Sequence, residues 1–317
     1  MNSPVISITH LQNYENQAVR EAIQKHFTLQ GGLDKFISKG DNVLIKPNLI
    51  APRSRRHATQ TDPSVILETA KIIKDYSAKP FVADSPAWSD TFTCLRKLRL
   101  LEPLKKLGIP VKQLNKPRKC GIAGTKVGIS SHALDADAII NLPKFKTHQQ
   151  LTATFAIKNM FGCVSGKHKA IWHFRKGKSP QGFAYLITEI YKYLNPVINI
   201  IDGVTAMDSQ GPIRGRARYL GYIIASKDPL ACELTCCKIC GIAPEKLPLI
   251  SAGIKSNLGC SSFDDIIFKG DKLPEKPIED FIPARPTPIR FSLPHIIRSI
   301  NRQAFLLTRN LFRKKLQ

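Results

Sequence analysis

Lys144, Lys146 and His148 follow the apolar run AIINL at a spacing of two, which in extended chain puts all three side chains on one face and turns Phe145 away. Two ammonium groups at that spacing suit a phosphate or carboxylate, and an imidazole or a desolvated amine beside them suits proton transfer. A helical stretch is expected over residues 151–161, ending at Gly162, with Lys158 and Asn159 in its last turn. Four expected strands also end on polar residues: Lys46, Asp84, Lys144 and Asp202. In open α/β sheets ligands bind outside the carboxyl ends of the strands, so these side chains are expected to converge on one rim. The candidate catalytic residues are therefore His148, Lys158 and Lys144. The candidate ligand-binding residues are Lys46, Asn48, Asp84, Lys146, Thr147, Asn159 and Asp202. A plainer reading of the same residues is that Lys46 and Lys144 pair with Asp84 and Asp202 to finish the strand ends. The aspartates would orient the lysines or, as a lesser reading, hold a divalent cation together with substrate phosphates; no metal ligand set is assigned.

The elements that must place these residues alternate between strand and helix. Strands are expected at residues 5–9, 42–45, 81–83, 111–114, 127–130, 138–142, 197–201, 219–225 and 265–268. Helices are expected where Val19, Ile23 and Phe27 recur every four residues, over 63–76 behind Asp62 and Pro63, and over 91–107, 181–194, 229–240 and 244–256. That alternation predicts an α/β fold with a largely parallel or mixed sheet and helices on both faces.

The cysteines invite a metal reading that their spacing opposes. Cys232, Cys236, Cys237 and Cys240 lie in DPLACELTCCKICG, a helix pattern with Asp228 as cap, Pro229 at the first position and Gly241 as stop. On that helix Cys237 is turned about 100° from Cys236, which is poor geometry for four tetrahedral ligands, so packing is expected. The iron–sulfur spacing C-x2-C-x2-C-x3-C-P is absent and no iron–sulfur cluster is expected; any other cofactor is left open. Eight cysteines in 317 residues do not form a secreted disulfide framework, and reduced thiols are expected.

Charge bounds the partners. Lys and Arg number 48 against 24 Asp and Glu, a formal net charge of +24. Such a surface attracts polyanions: phosphorylated metabolites, anionic lipid and, on charge alone, nucleic acid. Met1 to Ile8 carries no basic and apolar leader, and no run approaches the roughly 20 apolar residues of a membrane span, so a cytoplasmic location is expected.

KPNL at 46–49, TDP at 61–63, DSP at 84–86, PKFKTH at 143–148, IKNMFG at 157–162, DG at 202–203, GP at 211–212 and SKDPLA at 226–231 occur in that order. Together they resemble the domain-of-unknown-function family 362, many of whose members carry an iron–sulfur label. The resemblance covers about residues 5–270 and implies an α/β domain with a basic pocket. It names no reaction, and since the cysteine motif of the ferredoxin-like module of many relatives is absent from these residues, that module is not expected here.

Three regions follow: an α/β domain over 1–270, a proline-rich linker over 271–294 and a basic amphipathic helical tail over 295–317. From the end of the linker through the tail, Leu293, Ile296, Ile297, Ile300, Ala304, Leu307 and Leu311 form an apolar stripe with Arg298, Arg302, Arg309 and Arg313 among the other positions. Such a helix suits an anionic membrane interface at the inner face, or equally a docking place on protein. The first functional reading is an enzyme, or an enzyme component, that binds a small anionic ligand in the Lys/His/Asp cleft. The second is a non-catalytic basic protein on nucleic acid or an anionic membrane surface.

Overall fold

The computed structural model describes residues 3–165, 169, 172 and 179–285. Its framework is a mixed sheet built on β1 (Val5–His10), β2 (Asn42–Pro47), β3 (Lys79–Asp84), β4 (Val111–Gln113), β7 (Ala138–Leu142), β10 (Ile198–Asp208), β11 (Arg216–Ser226) and β12 (Ile267–Gly270). These run in the order β12-β1-β11-β10-β7-β2-β3-β4. From β10 to β4 the neighbours are parallel, whereas β11 is antiparallel to both β10 and β1. Every residue of β7 is buried, as a strand covered on both faces requires.

Two layers cover the sheet. On one side lie α1 (Asn16–Leu29), α2 (Pro63–Asp75), α3 (Thr91–Lys97) and α4 (Leu101–Lys106), whose apolar faces pack on Val43, Ile45, Val82 and Ile140. Asp62 caps α2 by accepting from the Ser64 amide at 2.9 Å. The single helix expected over 91–107 is two helices, with Arg99 between them at φ 58°. Pro103 explains the break: it has no N–H for the Arg99 carbonyl and its ring would clash there, so the helix restarts with Pro103 in its first turn.

On the other side are α5 (Ser131–Leu134), α6 (Ala156–Asn159), α7 (Pro180–Leu194), α8 (Pro229–Cys240) and α9 (Pro248–Lys255). The α8 helix is the cysteine-bearing one, with Asp228 accepting from the Ala231 amide at 2.8 Å and Gly241 ending it at φ 64°. Its four cysteines are buried in packing, and burial pushes the Cys232, Cys236 and Cys237 thiols well up and Cys240 to about 12. Among the described residues no group of three or more His, Cys, Asp or Glu is placed to hold a metal ion.

Several expectations are corrected. The strand expected at 127–130 is β6 (Thr125–Ser130), which leaves the main sheet to form a separate hairpin with the unanticipated β5 (Pro117–Ile122). The helix expected over 151–161 starts late, because β8 (Lys144–His148) turns back into β9 (Thr152–Thr154), pairing Lys146 with Thr154 and His148 with Thr152. Two β-branched threonines in TAT favour that pairing. Only α6 and a 3-10 turn, Met160–Cys163, remain helical. β10 does not end at Asp202 but bulges between Gly203 and Thr205 and runs on to Asp208. The helix expected over 244–256 is a 3-10 turn, Pro244–Lys246, followed by α9.

The expected linker is laid on the domain as far as it is described. Phe281 and Ala284 are buried, the Ser209 amide donates to the Ile282 carbonyl at 2.7 Å, and Ile278 donates to Ile239 at 2.8 Å. The tail at 295–317 and residues 286–294 of the linker lie outside the described residues. No helix among the described residues is long and apolar enough to cross a membrane.

Candidate functional site

At the carboxyl ends of β2 and β3, Lys46 and Asp84 form an ion pair of 2.8 Å with both side chains almost wholly buried. A buried pair is stable only when the remaining lone pairs and protons are also satisfied. Here they are. Lys46 Nζ also donates to the Pro47 carbonyl at 2.7 Å, and the Asp84 oxygens accept the amides of Leu49 and Ser85, each at 2.7 Å. Gly162, in the 3-10 turn after α6, leaves the space: a Cβ there would stand 2.6 Å from Lys46 Nζ and 2.8 Å from Asp84 Oδ1.

The second node lies one strand over. On β8 the alternation places Lys144 and Lys146 inward, while Phe145 packs on Phe155 and Phe281 at centroid distances of 4.7 and 5.9 Å. Lys144 Nζ pairs with Asp202 Oδ2 at 2.8 Å and donates to the Tyr14 hydroxyl at 2.9 Å, and that hydroxyl donates to Asp202 Oδ1 at 2.6 Å. Asp62, whose amide also donates to Asp202 at 2.7 Å, is clamped by two bonds from Arg55 at 2.9 and 3.0 Å. Burial, followed by the Asp202 charge, raises the Asp62 carboxyl to about 6.

Three further lysines, Lys146, Lys158 and Lys169, form no ion pair with a carboxylate among the described residues. Lys146 Nζ, buried between the two nodes, donates to the Asn48 side-chain oxygen and to the Thr59 carbonyl. Lys169 Nζ donates to the Ser85 carbonyl. Lys158 makes no hydrogen bond or ion pair among the described residues. Burial is the largest cause of a lowered pKa in all three, and charge on neighbouring lysines adds to it, opposed at Lys146 and Lys169 by the Asp84 charge: Lys146 is held well below the usual lysine range, and Lys158 and Lys169 at about 8. Counted with Arg55, six cationic side chains (Lys46, Lys144, Lys146, Lys158, Lys169 and Arg55) meet the three carboxylates of Asp62, Asp84 and Asp202. The excess is positive and partly desolvated, which favours an anion.

Amides hold the lysines in register. Asn159 accepts from Asn48 Nδ2 at 2.9 Å and donates to the Lys46 carbonyl at 3.1 Å and to Asn141 Oδ1 at 2.8 Å. Asn141 in turn donates to Asn199 at 2.8 Å, which accepts the Tyr191 hydroxyl at 2.9 Å. At the start of α6, Glu233 accepts from the Ile157 amide at 2.9 Å, and burial raises its carboxyl to about 8. Lys158 thus sits between two anchored neighbours.

Of the residues expected from sequence, Lys46, Asn48, Asp84, Lys146 and Asn159 are linked by hydrogen bonds or ion pairs. Lys144 and Asp202 form the adjoining node, and Lys158 feels the Lys46 charge while its own charge acts on Lys146. Lys46 and Lys144 do pair with Asp84 and Asp202, as the plainer reading expected, and the pairs still share one rim. Thr147 is on the other face of β8, where it donates to the Ser209 carbonyl at 2.8 Å and accepts from the Gly211 amide at 3.3 Å. His148 Nδ1 accepts from the Gln150 amide at 3.1 Å, in the turn between β8 and β9. Tyr14, Asp62, Lys169, Asn141 and Glu233 were not anticipated. The TDP motif pointed at Asp62 only as a helix cap, and a tyrosine before α1 carries no local signal of a partner 188 residues on.

Known proteins resemble this chain over most of its length. A thylakoid-associated protein of Synechocystis sp. is 32% identical over 297 residues, covering 93% of this chain and 92% of that protein. Among solved structures, the lactate racemase apoprotein of Thermoanaerobacterium thermosaccharolyticum is similar with a TM-score of 0.45 and 15% identity, over 69% of this chain and 54% of that one. The family model described as domain of unknown function 362 (DUF362) matches residues 43–238, which contain every expected site residue. The chain belongs to that family.

Proposed function

We propose that the protein is an enzyme, or an enzyme component, that binds a small metabolite through a phosphate or carboxylate at Lys146, Lys158 and Lys169. The observation that carries this reading is the excess of three buried or partly buried ammonium groups over the carboxylates around them. An anion there would restore each lysine toward its ordinary protonation and satisfy donors that have no charged partner among the described residues. The two ion-paired nodes serve as walls, with Lys46–Asp84 and Lys144–Asp202 fixing the rim. Lys158 is the group suited to move a proton, because an amine near pKa 8 exchanges protons readily at physiological pH.

Thermal unfolding in graded inorganic phosphate, acetate and chloride at constant ionic strength tests this. Phosphate raises the melting temperature of the native chain in a saturable way, and Lys158→Met and Lys169→Met each cut that rise. A rise no larger than chloride produces would remove the reading.

A second reading, peripheral attachment at a membrane surface, is favoured by the relative named as thylakoid-associated and by the run of arginines in the tail sequence. Each basic residue near an anionic surface contributes about 1 kcal/mol. Flotation with anionic vesicles, comparing the native chain with one in which Arg298, Arg302, Arg309 and Arg313 are glutamine, tests it. Loss of binding in the variant supports attachment through the tail, and equal binding opposes it.

A further inference from the structure

Resting on the anion-site reading, we propose that Lys158 is a nucleophile that forms an imine with the carbonyl carbon of an aldehyde or ketone whose phosphate or carboxylate is held by Lys146 and Lys169.

Five lysines meet at this rim and their nitrogens are not equivalent. Lys46 is held by Asp84 and the Pro47 carbonyl, Lys144 by Asp202 and Tyr14, Lys146 by Asn48 and Thr59, and Lys169 by Ser85. Lys158 alone has no acceptor among the described residues. It also keeps some accessible surface, whereas Lys46, Lys144 and Lys146 are at most 2% exposed. Its backbone is fixed from both sides, by Glu233 on the Ile157 amide and by Asn159 on Lys46 and Asn141. An amine with no acceptor among the described residues, on an anchored stem beside anion-binding ammoniums, is the arrangement that a carbonyl carrying a negative charge would meet.

Electrostatics supply the reactive form. With a pKa lowered from 10.5 to about 8, roughly half of Lys158 is neutral at pH 8, against about 0.3% of an ordinary lysine. Lysines beside other cationic groups are activated in this way. In the step itself the Lys158 nitrogen lone pair forms the C–N bond and the carbonyl π pair moves onto oxygen. That oxygen then leaves as water, taking one proton from the Lys158 nitrogen and one from a neighbouring ammonium, while the nitrogen lone pair closes the C=N bond. The iminium that results carries the positive charge which the donor ammonium gave up, so atoms and charge balance.

Pyridoxal 5′-phosphate, an anionic aldehyde, is the probe. The native full-length chain is incubated with it at pH 8, the imine is fixed with borohydride, and adducts are located by peptide mass mapping. The expected result is one adduct per chain on Lys158, formed at least about tenfold faster than on surface lysines and suppressed by excess inorganic phosphate. Lys158→Arg, which keeps a positive charge but offers no free amine, loses this adduct. Adducts spread over surface lysines, or placed on Lys146 or Lys169, would overturn the assignment, and a retained phosphate response would leave the anion site standing. Absence of both the adduct and the phosphate response would remove the two readings together.

Discussion

Replacing Gly162 by alanine should destabilise the protein, although backbone considerations alone favour the opposite sign. Gly162 does not occupy the left-handed region, so a glycine-to-alanine change there would ordinarily add about 0.4–1 kcal/mol by reducing the freedom of the unfolded chain. The added Cβ, however, would lie 2.6 Å from Lys46 Nζ, 2.7 Å from Lys46 Cε and 2.8 Å from Asp84 Oδ1. Neither partner can retreat cheaply: Lys46 is wholly buried, and its nitrogen is tied to Asp84 and to the Pro47 carbonyl. Overpacking costs about 1–3 kcal/mol, and opening a buried pair by removing a partner costs about 3–5 kcal/mol. Partial displacement should fall between these, so a net loss of about 2–3 kcal/mol is expected after the backbone gain is subtracted. Urea unfolding at pH 7 measures it from the shift in midpoint at unchanged slope. An alanine variant as stable as the native chain, or more so, would refute the account of this glycine as the space-maker for the ion pair.

Lys158 and Lys169 have folded values of about 8 against 10.5 for the free side chain, so between those values the unfolded chain binds more protons and stability should rise with pH; below about 8 the penalty is fully present. Saturating phosphate favours the charged forms and should flatten that rise, which urea midpoints at pH 7 and pH 10 with and without phosphate would check. For Glu233 the shift is upward, from 4.5 to about 8, so its contribution is full below about 4.5 and is lost as pH rises toward and through 8. The stability of Glu233→Gln relative to the native chain should therefore increase from pH 5 to pH 9, and a constant difference would show that the carboxyl is not held protonated. Tyr14→Phe removes a donor to Asp202 and an acceptor for Lys144 and the Thr205 amide, and should cost about 2 kcal/mol in urea unfolding. A cost under about 0.5 kcal/mol would mean the hydroxyl is not what holds that node together.

The order of elements and the rim were readable because their signals are local: a fully apolar run makes a buried strand, and the polar residue that ends it lands at a strand end. Lys46 and Asp84 were found in that way, whereas Lys144 opens β8 just beyond the end of β7 and Asp202 lies within a strand that runs on; the pairings follow from adjacency of the strands that carry them. Errors arose where tertiary pairing outweighed local pattern. Residues 151–155 read as the start of a helix but pair with β8, and β10 continues past Asp202 because β11 offers it a partner. Thr147 was grouped with its motif, yet strand alternation already puts it on the face opposite Lys146. Tyr14 and Lys169 reach the site from distant segments, and only the fold brings them there.

A crystal structure of the native chain grown or soaked in tungstate, a heavy tetrahedral oxyanion with strong anomalous scattering, tests the central claim most directly. The account predicts one well-occupied anomalous peak within hydrogen-bond distance of the Lys146, Lys158 and Lys169 nitrogens, displaced by phosphate. Peaks confined to surface arginines, with none among those three lysines, would contradict it.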